Sequence, residues 1–317
     1  MQAMSPLRPQ LIPFLGYLLR SQGQQRHDRQ TATELNWSVL GQSLPPGLEL
    51  EWLGTSGFRM SYQGHTILID PYVSRCPVSD LMRRHAIGPS PERADQFLNR
   101  SVNAILIGHA HFDHVLDAPA IAKRDQAKVF GSRSAANLMG LYGQSELMVE
   151  VEPYKCYEIG PFEFSFTPSV HSRLMLGLKV PYDGDISCEA LNELVPQRYK
   201  CGQVYGIEIR VAGVSFYHMG SCDLIEDAIR VRNVDYFLAG IAGRGFTKAF
   251  TRRILEIIEP KVIIPHHFDD FFQPLGEPMK FSFNVNFGGF VEEVAKVSQD
   301  FMVAAPEPLQ TIQRSAT

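Results

Sequence analysis

Residues 104–114 read AILIGHAHFDH, and this segment restricts the fold of the chain more than any other. It begins as a short apolar strand and, directly after a glycine, places three histidines and an aspartate within six positions. Burying these polar side chains together without a cation would leave them unpaired or repelling one another. The segment therefore predicts a metal site at the end of a buried strand, completed by ligands from elsewhere in the chain.

The spacing within this cluster divides its four candidate ligands between two points in space. In an extended chain the side chains of His109 and His111 share a face, so both can reach one cation. Asp113 and His114 follow where the chain turns into a helix, and they can reach a second point nearby. Imidazole and carboxylate ligands without a thiolate favour Zn²⁺, with Mn²⁺ and iron as alternatives.

Further ligands must come from other segments, and several candidates follow directly after apolar strands. Open sheets of mixed architecture bind their ligands at the carboxyl ends of strands, so this shared position strengthens the prediction that each candidate is a metal ligand. The candidates outside the cluster are His171, His218, Asp223, His266, His267, Asp269 and Asp270.

The composition is that of a soluble globular protein that handles a small molecule. Of its 317 residues 44% are hydrophobic and 20% are charged, and the net charge of −4 makes a nucleic acid an unexpected partner. The five cysteines include no C-x-x-C pair, which favours reduced thiols and a cytoplasmic location. The sequence leaves the oligomeric state open.

Alternating strands and helices fill the chain from about residue 48 onward and predict one α+β domain over 47–305 with two sheets and outer helices. Residues 1–46 form an N-terminal extension, in which the apolar run 11–19 predicts a short helix packed on the domain. That run is too short to span a bilayer, which takes about 20 residues. Membrane-surface contact through residues 7–20 is the alternative, and 306–317 is expected to be a frayed tail.

With these motifs in place, the chain resembles the metallo-β-lactamase superfamily. HAHFDH (109–114) is similar to its H-x-H-x-D-H motif, and WLGTSGFRMSYQGHTILIDP (52–71) resembles the opening strands of its hydrolase branches. SVHS (169–172), FYHMGSCDL (216–224) and IIPHHFDDFF (263–272) continue the resemblance in the family's order. The resemblance implies a four-layer αβ/βα sandwich with two mixed sheets and outer helices.

The resemblance also implies a centre of two divalent metal ions. Three histidines would hold the first metal, and an aspartate with two histidines would hold the second. The implied ligands are His109, His111 and His171 for the first metal, and Asp113, His114 and His267 for the second. Asp70 in the ILIDP turn would orient the histidines by hydrogen bonding.

One motif departs from the family pattern. Where the family shows Gly-Asp-Thr, with the aspartate bridging the metals, this chain has serine at position 221. We expect Asp223 to supply the bridging carboxylate, and the alternative is a weak or absent second metal. His266 lies beside a ligand and is a candidate to donate to the substrate or to make a structural hydrogen bond, whereas His218 is expected in the core or behind the ligands.

Such a centre predicts a metal-dependent hydrolase, because two cations that share a water lower its pKa and supply hydroxide near neutral pH. Asp113 would orient this hydroxide and carry a proton to the leaving group. The opening strands and DPYVSRCP (70–77) resemble the branch of N-acylphosphatidylethanolamine-hydrolysing phospholipase D and ascorbate-phosphate lactonases. This resemblance implies an ester, lactone or phosphodiester substrate.

The segments beside the ligands favour a substrate with an apolar acyl or aryl portion. Residues 173–201 follow a ligand and combine apolar side chains with Tyr182, Asp183 and Asp185, and Phe268, Phe271 and Phe272 follow His267. The alternative is that these aromatic residues are ordinary core. Two other functions stay open: an RNA-processing nuclease of the same superfamily, and a non-catalytic ligand-binding protein with a degenerate metal site.

Overall fold

Two mixed seven-stranded sheets face one another in the computed structural model, which describes residues 22–40, 44–174, 179–282 and 285–313. Helices cover the outer faces of the two sheets, so the predicted α+β sandwich is confirmed. The apolar segment 11–19 and the surface-contact segment 7–20 lie outside the described residues.

The first sheet is built mainly from the N-terminal half of the chain. Its order is β14-β1-β2-β3-β4-β5-β6, antiparallel from β14 to β3 and parallel from β3 to β6. The strands are β1 (Glu49–Trp52), β2 (Phe58–Tyr62), β3 (His65–Ile69), β4 (Ala104–Leu106), β5 (Lys128–Gly131), β6 (Met148–Glu150) and β14 (Thr311–Ile312).

The second sheet comes from the C-terminal half. Its order is β13-β12-β11-β10-β9-β8-β7, antiparallel from β7 to β10 and parallel from β10 to β13. The strands are β7 (Tyr157–Ile159), β8 (Phe162–Ser169), β9 (Val204–Val211), β10 (Val214–Met219), β11 (Tyr236–Gly240), β12 (Val262–His266) and β13 (Met302–Val303).

The helices lie between strands or at the N-terminal side of the described chain. They are α1 (Gln22–Glu34), α2 (Val78–Arg83), α3 (Pro91–Phe97), α4 (Phe112–Val115), α5 (Ala118–Asp125), α6 (Arg133–Leu141), α7 (Phe250–Ile258) and α8 (Phe287–Val297). Among these helices of the described chain, none is both long enough and apolar enough to cross a bilayer.

Strand periodicity produces two separate cores. Successive side chains of a strand point to opposite faces, so β4 sends Leu106 between the sheets and Ile105 toward the helices. The larger core lies between the sheets and includes Trp52 and Phe216, whereas the smaller one packs helices such as α5, through Ile121, on the first sheet. The candidate site lies at the ends of several strands, and both cores hold these strand ends in place.

The two ends of the described chain are joined to the sandwich. Helix α1 packs against α8, and the buried carboxylate of Asp28 accepts a hydrogen bond from the Gly288 amide at 2.9 Å. At the other end β14 pairs with β1, with Ile312 opposite Leu50. The prediction of a frayed tail was therefore wrong for 311–312, because backbone hydrogen bonds attach these residues to the sheet edge.

Two other predicted elements differ in the structure. The residues FSFNV (281–285) alternate as in a strand, but they make only one isolated bridge, from Phe281 to Asp269, and residues 283–284 lie outside the described chain. The sequence also predicts a helix near 223–231, where the structure has a single 3₁₀ turn at Glu226–Ala228. Phe281 instead packs its ring on Phe268, at 5.6 Å between centroids, so tertiary packing outweighs the local alternation.

The loop after β3 is held to helix α5 by one buried carboxylate. Asp117 is fully buried and accepts hydrogen bonds from the amides of Val73, at 2.6 Å, and Ser74, at 2.8 Å, and from the Ser74 hydroxyl. Replacing Asp117 with alanine should lower the free energy of unfolding by about 2–4 kcal/mol, because the buried amide of Val73 and the half-buried amide of Ser74 lose their acceptor. Asp117→Asn, which keeps one acceptor oxygen, should cost less, and urea unfolding measures both. Equal losses for the two variants would contradict this account.

Candidate metal centre

The histidine cluster stands where the two sheets meet at one edge of the sandwich. Strand β4 ends at Leu106, and the Gly108 carbonyl accepts a hydrogen bond from the Tyr205 amide of β9 at 2.8 Å, which joins the sheets. A Cβ at Gly108 would lie 3.2 Å from Oδ2 of Asp70, so glycine permits the close approach of this carboxylate. Asp70 itself adopts a left-handed backbone (φ 41°) after β3 and accepts from the Gly108 amide at 2.7 Å.

Three histidines, here called the first triad, converge from two sheets: His109, His111 and His171. Nε2 of His109 lies 3.1 Å from Nδ1 of His111, and the ring centroids of both lie within 5.0 Å of that of His171. Nε2 of His111 lies 2.8 Å from the Pro181 carbonyl, and Nδ1 of His171 lies 2.8 Å from the Ser172 carbonyl. A carbonyl only accepts, so these nitrogens carry the hydrogens and the other nitrogen of each ring keeps its lone pair.

A second triad lies beside the first and consists of Asp113, His114 and His267. Oδ2 of Asp113 is 3.3 Å from Nε2 of His267 and 3.7 Å from Nε2 of His114. Nδ1 of His114 donates to the buried Asp70 carboxylate at 2.8 Å, which leaves the lone pair on Nε2. His267 follows β12 with a left-handed backbone (φ 60°), and its amide donates to the Thr55 carbonyl at 2.8 Å.

Burial sets the protonation of the two triads. It lowers the pKa of His109, of His111 to about 4 and of His171 to about 3, so the first triad is neutral at pH 7. Burial also acts on His114, but the carboxylates of Asp113 and Asp70 outweigh it and raise the pKa of that imidazole. Although burial opposes the change, His114 and His267 lower the pKa of Asp113, which is therefore ionised.

The donor chemistry of both triads fits a divalent cation. Within each triad the three ligand atoms lie within 4.8 Å of one another. The first triad offers three neutral nitrogens, and the second offers two nitrogens and a carboxylate oxygen, which are ligand sets that zinc accepts. Asp70 forms a third such group with His109 and His114, in keeping with its predicted role of orienting ligands.

Asp223, the predicted bridge between two cations, is not brought to either triad. Its Oδ1 accepts from the Leu224 amide at 2.9 Å and lies 3.7 Å from Nη1 of Arg253. It belongs to none of the convergent ligand groups found among the described residues. Ser221, at the family's aspartate position, is buried and donates to the Val170 carbonyl at 3.2 Å. The structure thus places Asp223 away from the position predicted for it, with its carboxylate facing Arg253 instead of the triads.

His266 and His218 form a buried pair behind the site. Their rings stack at 4.9 Å with an interplanar angle of 8°, and the edge of each ring meets Phe58. Burial lowers the pKa of both, to about 4 for His218, whose Nε2 lies 3.0 Å from the Ser56 carbonyl. Neither histidine lines the pocket over the triads, so His266 is placed for packing and not for donation to a substrate.

A cavity of about 160 Å³ lies over the triads. Phe271 and Phe272 line it, as does Tyr182, whereas Phe268 is fully buried and packs against Trp52, with 4.7 Å between ring centroids and an angle of 41°. Of the four residues predicted beside the ligands, Tyr182, Phe271 and Phe272 therefore line the pocket and Phe268 does not, and the prediction missed Phe112. The complete lining is Leu81, His111, Phe112, Asp113, His114, His171, Leu174, Pro181, Tyr182, Gly220, Ala242, His267, Phe271 and Phe272.

A buried ion pair that the sequence analysis missed supports His267. Nη2 of Arg75 lies 2.8 Å from Oδ2 of Asp269, and both side chains are almost completely buried. Oδ1 of Asp269 accepts from the Thr55 amide at 2.8 Å, and the Thr55 carbonyl in turn holds the His267 amide. Asp269 was a candidate ligand by its position after β12, and its role is instead structural. Periodicity around Arg75 gives no signal of this partner, 194 positions away.

Comparison with known proteins agrees with this architecture. A family model described as "Beta-lactamase superfamily domain" matches residues 49–267. A UPF0173 metal-dependent hydrolase of Polynucleobacter asymbioticus is 28% identical over 235 residues, which cover 70% of this chain and 74% of the relative. One of Methanopyrus kandleri is 26% identical over 275 residues, covering 84% of this chain and all of the relative.

Two solved structures show the same fold at low sequence identity. A metallo hydrolase of Ignicoccus hospitalis has a TM-score of 0.55 and 19% identity, and the match covers 84% of this chain and 97% of that protein. A diiron beta-hydroxylase of Streptomyces venezuelae has a TM-score of 0.56 and 14% identity, covering 86% of this chain and 55% of that protein. Since one fold carries both hydrolysis and hydroxylation, the fold alone does not determine the reaction.

Proposed function

The chain belongs to the beta-lactamase superfamily and is a metal-dependent hydrolase, and we propose that it cleaves an ester, lactone or phosphodiester bond with two divalent cations, Zn²⁺ first among the candidates. One observation carries the proposal. Two triads of nitrogen and carboxylate donors, with the N–H groups of His111, His171 and His114 turned to acceptors elsewhere, lie under a largely apolar pocket.

When bound, divalent cations lower the pKa of a water and stabilise negative charge on a substrate oxygen. The residues of the chain supply the rest. Asp113 lines the pocket, and its carboxylate can accept the proton of the attacking water and return it to the leaving oxygen. The Asp70 carboxylate and the Pro181 carbonyl fix the ring orientations of His114 and His111, so the donors are in place before a substrate arrives.

Metal removal tests the proposal. The purified protein should hold two equivalents of metal by elemental analysis and should hydrolyse at least one member of a panel of aryl esters, lactones and bis-aryl phosphates. Stripping with a chelator should lower the rate by about 100-fold or more, because the cations supply several kcal/mol of charge stabilisation, and adding Zn²⁺ or Mn²⁺ should restore it. Protein that holds two equivalents and hydrolyses none of the panel would overturn the proposal that it cleaves an ester, lactone or phosphodiester bond. One equivalent or none, with tight ligand binding, would favour the degenerate binding protein.

A further inference from the structure

The pocket over the triads offers a substrate very few polar groups besides the proposed ligands. Of the side chains that line it, those outside the triads are apolar with one exception, and in the described part of the chain none is a lysine or an arginine. Phe112, Phe271 and Phe272 form a cluster on one side, with ring centroids 4.4–6.5 Å apart. A cavity of roughly 150 Å³ accommodates a benzene ring, so this one has room for one aryl group or a short acyl chain.

The exception is Tyr182, the one residue with a hydroxyl among those lining residues. Its ring stands edge-on to His111, at 6.2 Å between centroids and an angle of 88°. Within the described chain no hydrogen-bond partner of this hydroxyl is found, so its hydrogen is available to a bound molecule. Burial raises the pKa of the phenol, although the charge of Arg84 opposes the effect, and the hydroxyl is therefore protonated at neutral pH.

The backbone of Tyr182 is held in a costly conformation that fixes the ring at the site. Its φ of 45° is in the left-handed region, which costs a residue with a Cβ about 1–2 kcal/mol. Two contacts hold this conformation: the Tyr182 carbonyl accepts from the Cys201 amide at 2.8 Å, and the preceding Pro181 carbonyl accepts from His111. Strain of this kind concentrates at functional sites, where the surrounding structure enforces it.

We infer that the site takes a carboxylic ester or lactone with no charged substituent, and that Tyr182 is a further catalytic residue that donates a hydrogen bond to the substrate oxygen on which negative charge develops. The inference rests on the proposed function and narrows it. Water adds to the carbonyl carbon, the carbon–oxygen bond breaks, and the water's proton passes to the leaving oxygen. Tyr182 keeps its own proton and acts by hydrogen bonding alone.

Charge separates this substrate class from the phosphodiesters and from carboxylated substrates. A phosphodiester carries a full negative charge on its non-bridging oxygens before reaction, and sites that bind such a charge normally add arginine or lysine to any metal ions. An ester or lactone carbonyl becomes negative only as the reaction proceeds, when one neutral donor beside the cations is well matched to it. Arg84 is the cation that acts on Tyr182, but it is exposed and does not line the pocket.

The substrate class can be tested with matched probes on the metal-loaded protein. Phenyl butyrate should have a kcat/KM about tenfold or more above that of para-carboxyphenyl butyrate, because an unpaired carboxylate beside Phe271 and Phe272 is costly to bury. Bis(para-nitrophenyl) phosphate should be hydrolysed more slowly than para-nitrophenyl butyrate. If the phosphate is faster, the inference is overturned while the proposed function stands. If the loaded protein hydrolyses none of these probes, the proposed cleavage of an ester, lactone or phosphodiester bond itself fails.

The Tyr182→Phe variant tests the role of the hydroxyl. It should lower kcat for phenyl butyrate by about 100-fold, the usual cost of one lost donor to a developing oxyanion, with KM within about twofold of the wild type. Metal content and melting temperature should be unchanged, since the hydroxyl is not a proposed metal ligand and has no hydrogen-bond partner within the described chain. An unchanged kcat would overturn the assignment. The matched control is Arg84→Gln, which should leave all rates unchanged; a preference for the carboxylated ester that disappears in this variant would show an anion site instead.

Discussion

Replacing Asp113 with asparagine is expected to lower kcat/KM by about 1,000-fold or more and to remove one of the two proposed metal equivalents. The carboxylate is the one charged ligand of the second triad, 3.3 Å from Nε2 of His267 and 3.7 Å from Nε2 of His114. Asparagine keeps the size of the side chain but loses both the charge that attracts a cation and the capacity to accept a proton. Steady-state kinetics on a hydrolysed ester and elemental analysis of the dialysed protein measure the two effects.

Asp223→Asn is the matched control, because it makes the same chemical change at the residue first expected to bridge the cations. Its carboxylate is occupied by the Leu224 amide and by Arg253, so the variant should keep both metals and a kcat/KM within about twofold of the wild type. Loss of a metal equivalent in Asp223→Asn, with none lost in Asp113→Asn, would contradict the geometry of the second triad.

The positions of the site residues could be predicted from the sequence where neighbouring residues in one segment determine them. His109, His111, Asp113 and His114 are neighbours in the chain, and the turn from strand to helix that brings them together is encoded in the same eleven residues. The two distant histidines, His171 and His267, follow from a different rule: each comes shortly after a strand, and the sandwich brings the ends of these strands together. Position after a strand was not sufficient by itself, because it selected His266 and Asp269 as readily as His267.

His266 and His267 differ in the direction of their side chains, because successive residues at the end of a strand point to different sides. His266 is the last residue of β12 and points between the sheets onto His218, whereas the left-handed backbone of His267 turns the next side chain to the pocket. The φ of 60° that causes this turn is set by the contact of its amide with the Thr55 carbonyl. Such a contact joins positions more than 200 residues apart, and no periodicity within one segment encodes it.

The strands show the same difference between features that a local sequence pattern determines and features that contacts with distant residues determine. Strands β9, β10 and β11 lie where the apolar or alternating runs VYGIEIRV, VSFYHM and YFLAG predict strands, because each run is long enough for the pattern to be read. Strand β14 has two residues and is formed by the free edge of β1, so its sequence alone carries no pattern. Asp223 has a comparable cause: its direction depends on Arg253 of α7, thirty positions along the chain.

Asp269→Ala should lower the free energy of unfolding by about 3–5 kcal/mol, because it leaves the buried guanidinium of Arg75 without its partner. It should also weaken binding of the second metal by about 10–100-fold, since the Thr55 amide loses its acceptor and the Thr55 carbonyl positions His267. Guanidinium chloride unfolding of the metal-free protein measures the first effect. Zn²⁺ titration of native protein measures the second.

The double variant Arg75→Met with Asp269→Leu separates the two consequences. Removing both charges leaves no unpaired ion in the core, so most of the lost stability should return. The metal affinity should not return, because leucine cannot accept the hydrogen bond from the Thr55 amide that Oδ1 of Asp269 accepts. Recovery of both properties would mean that His267 needs only a stable fold around it. A stability loss below about 1 kcal/mol in Asp269→Ala would place this pair among weak surface ion pairs, against its burial in the structure.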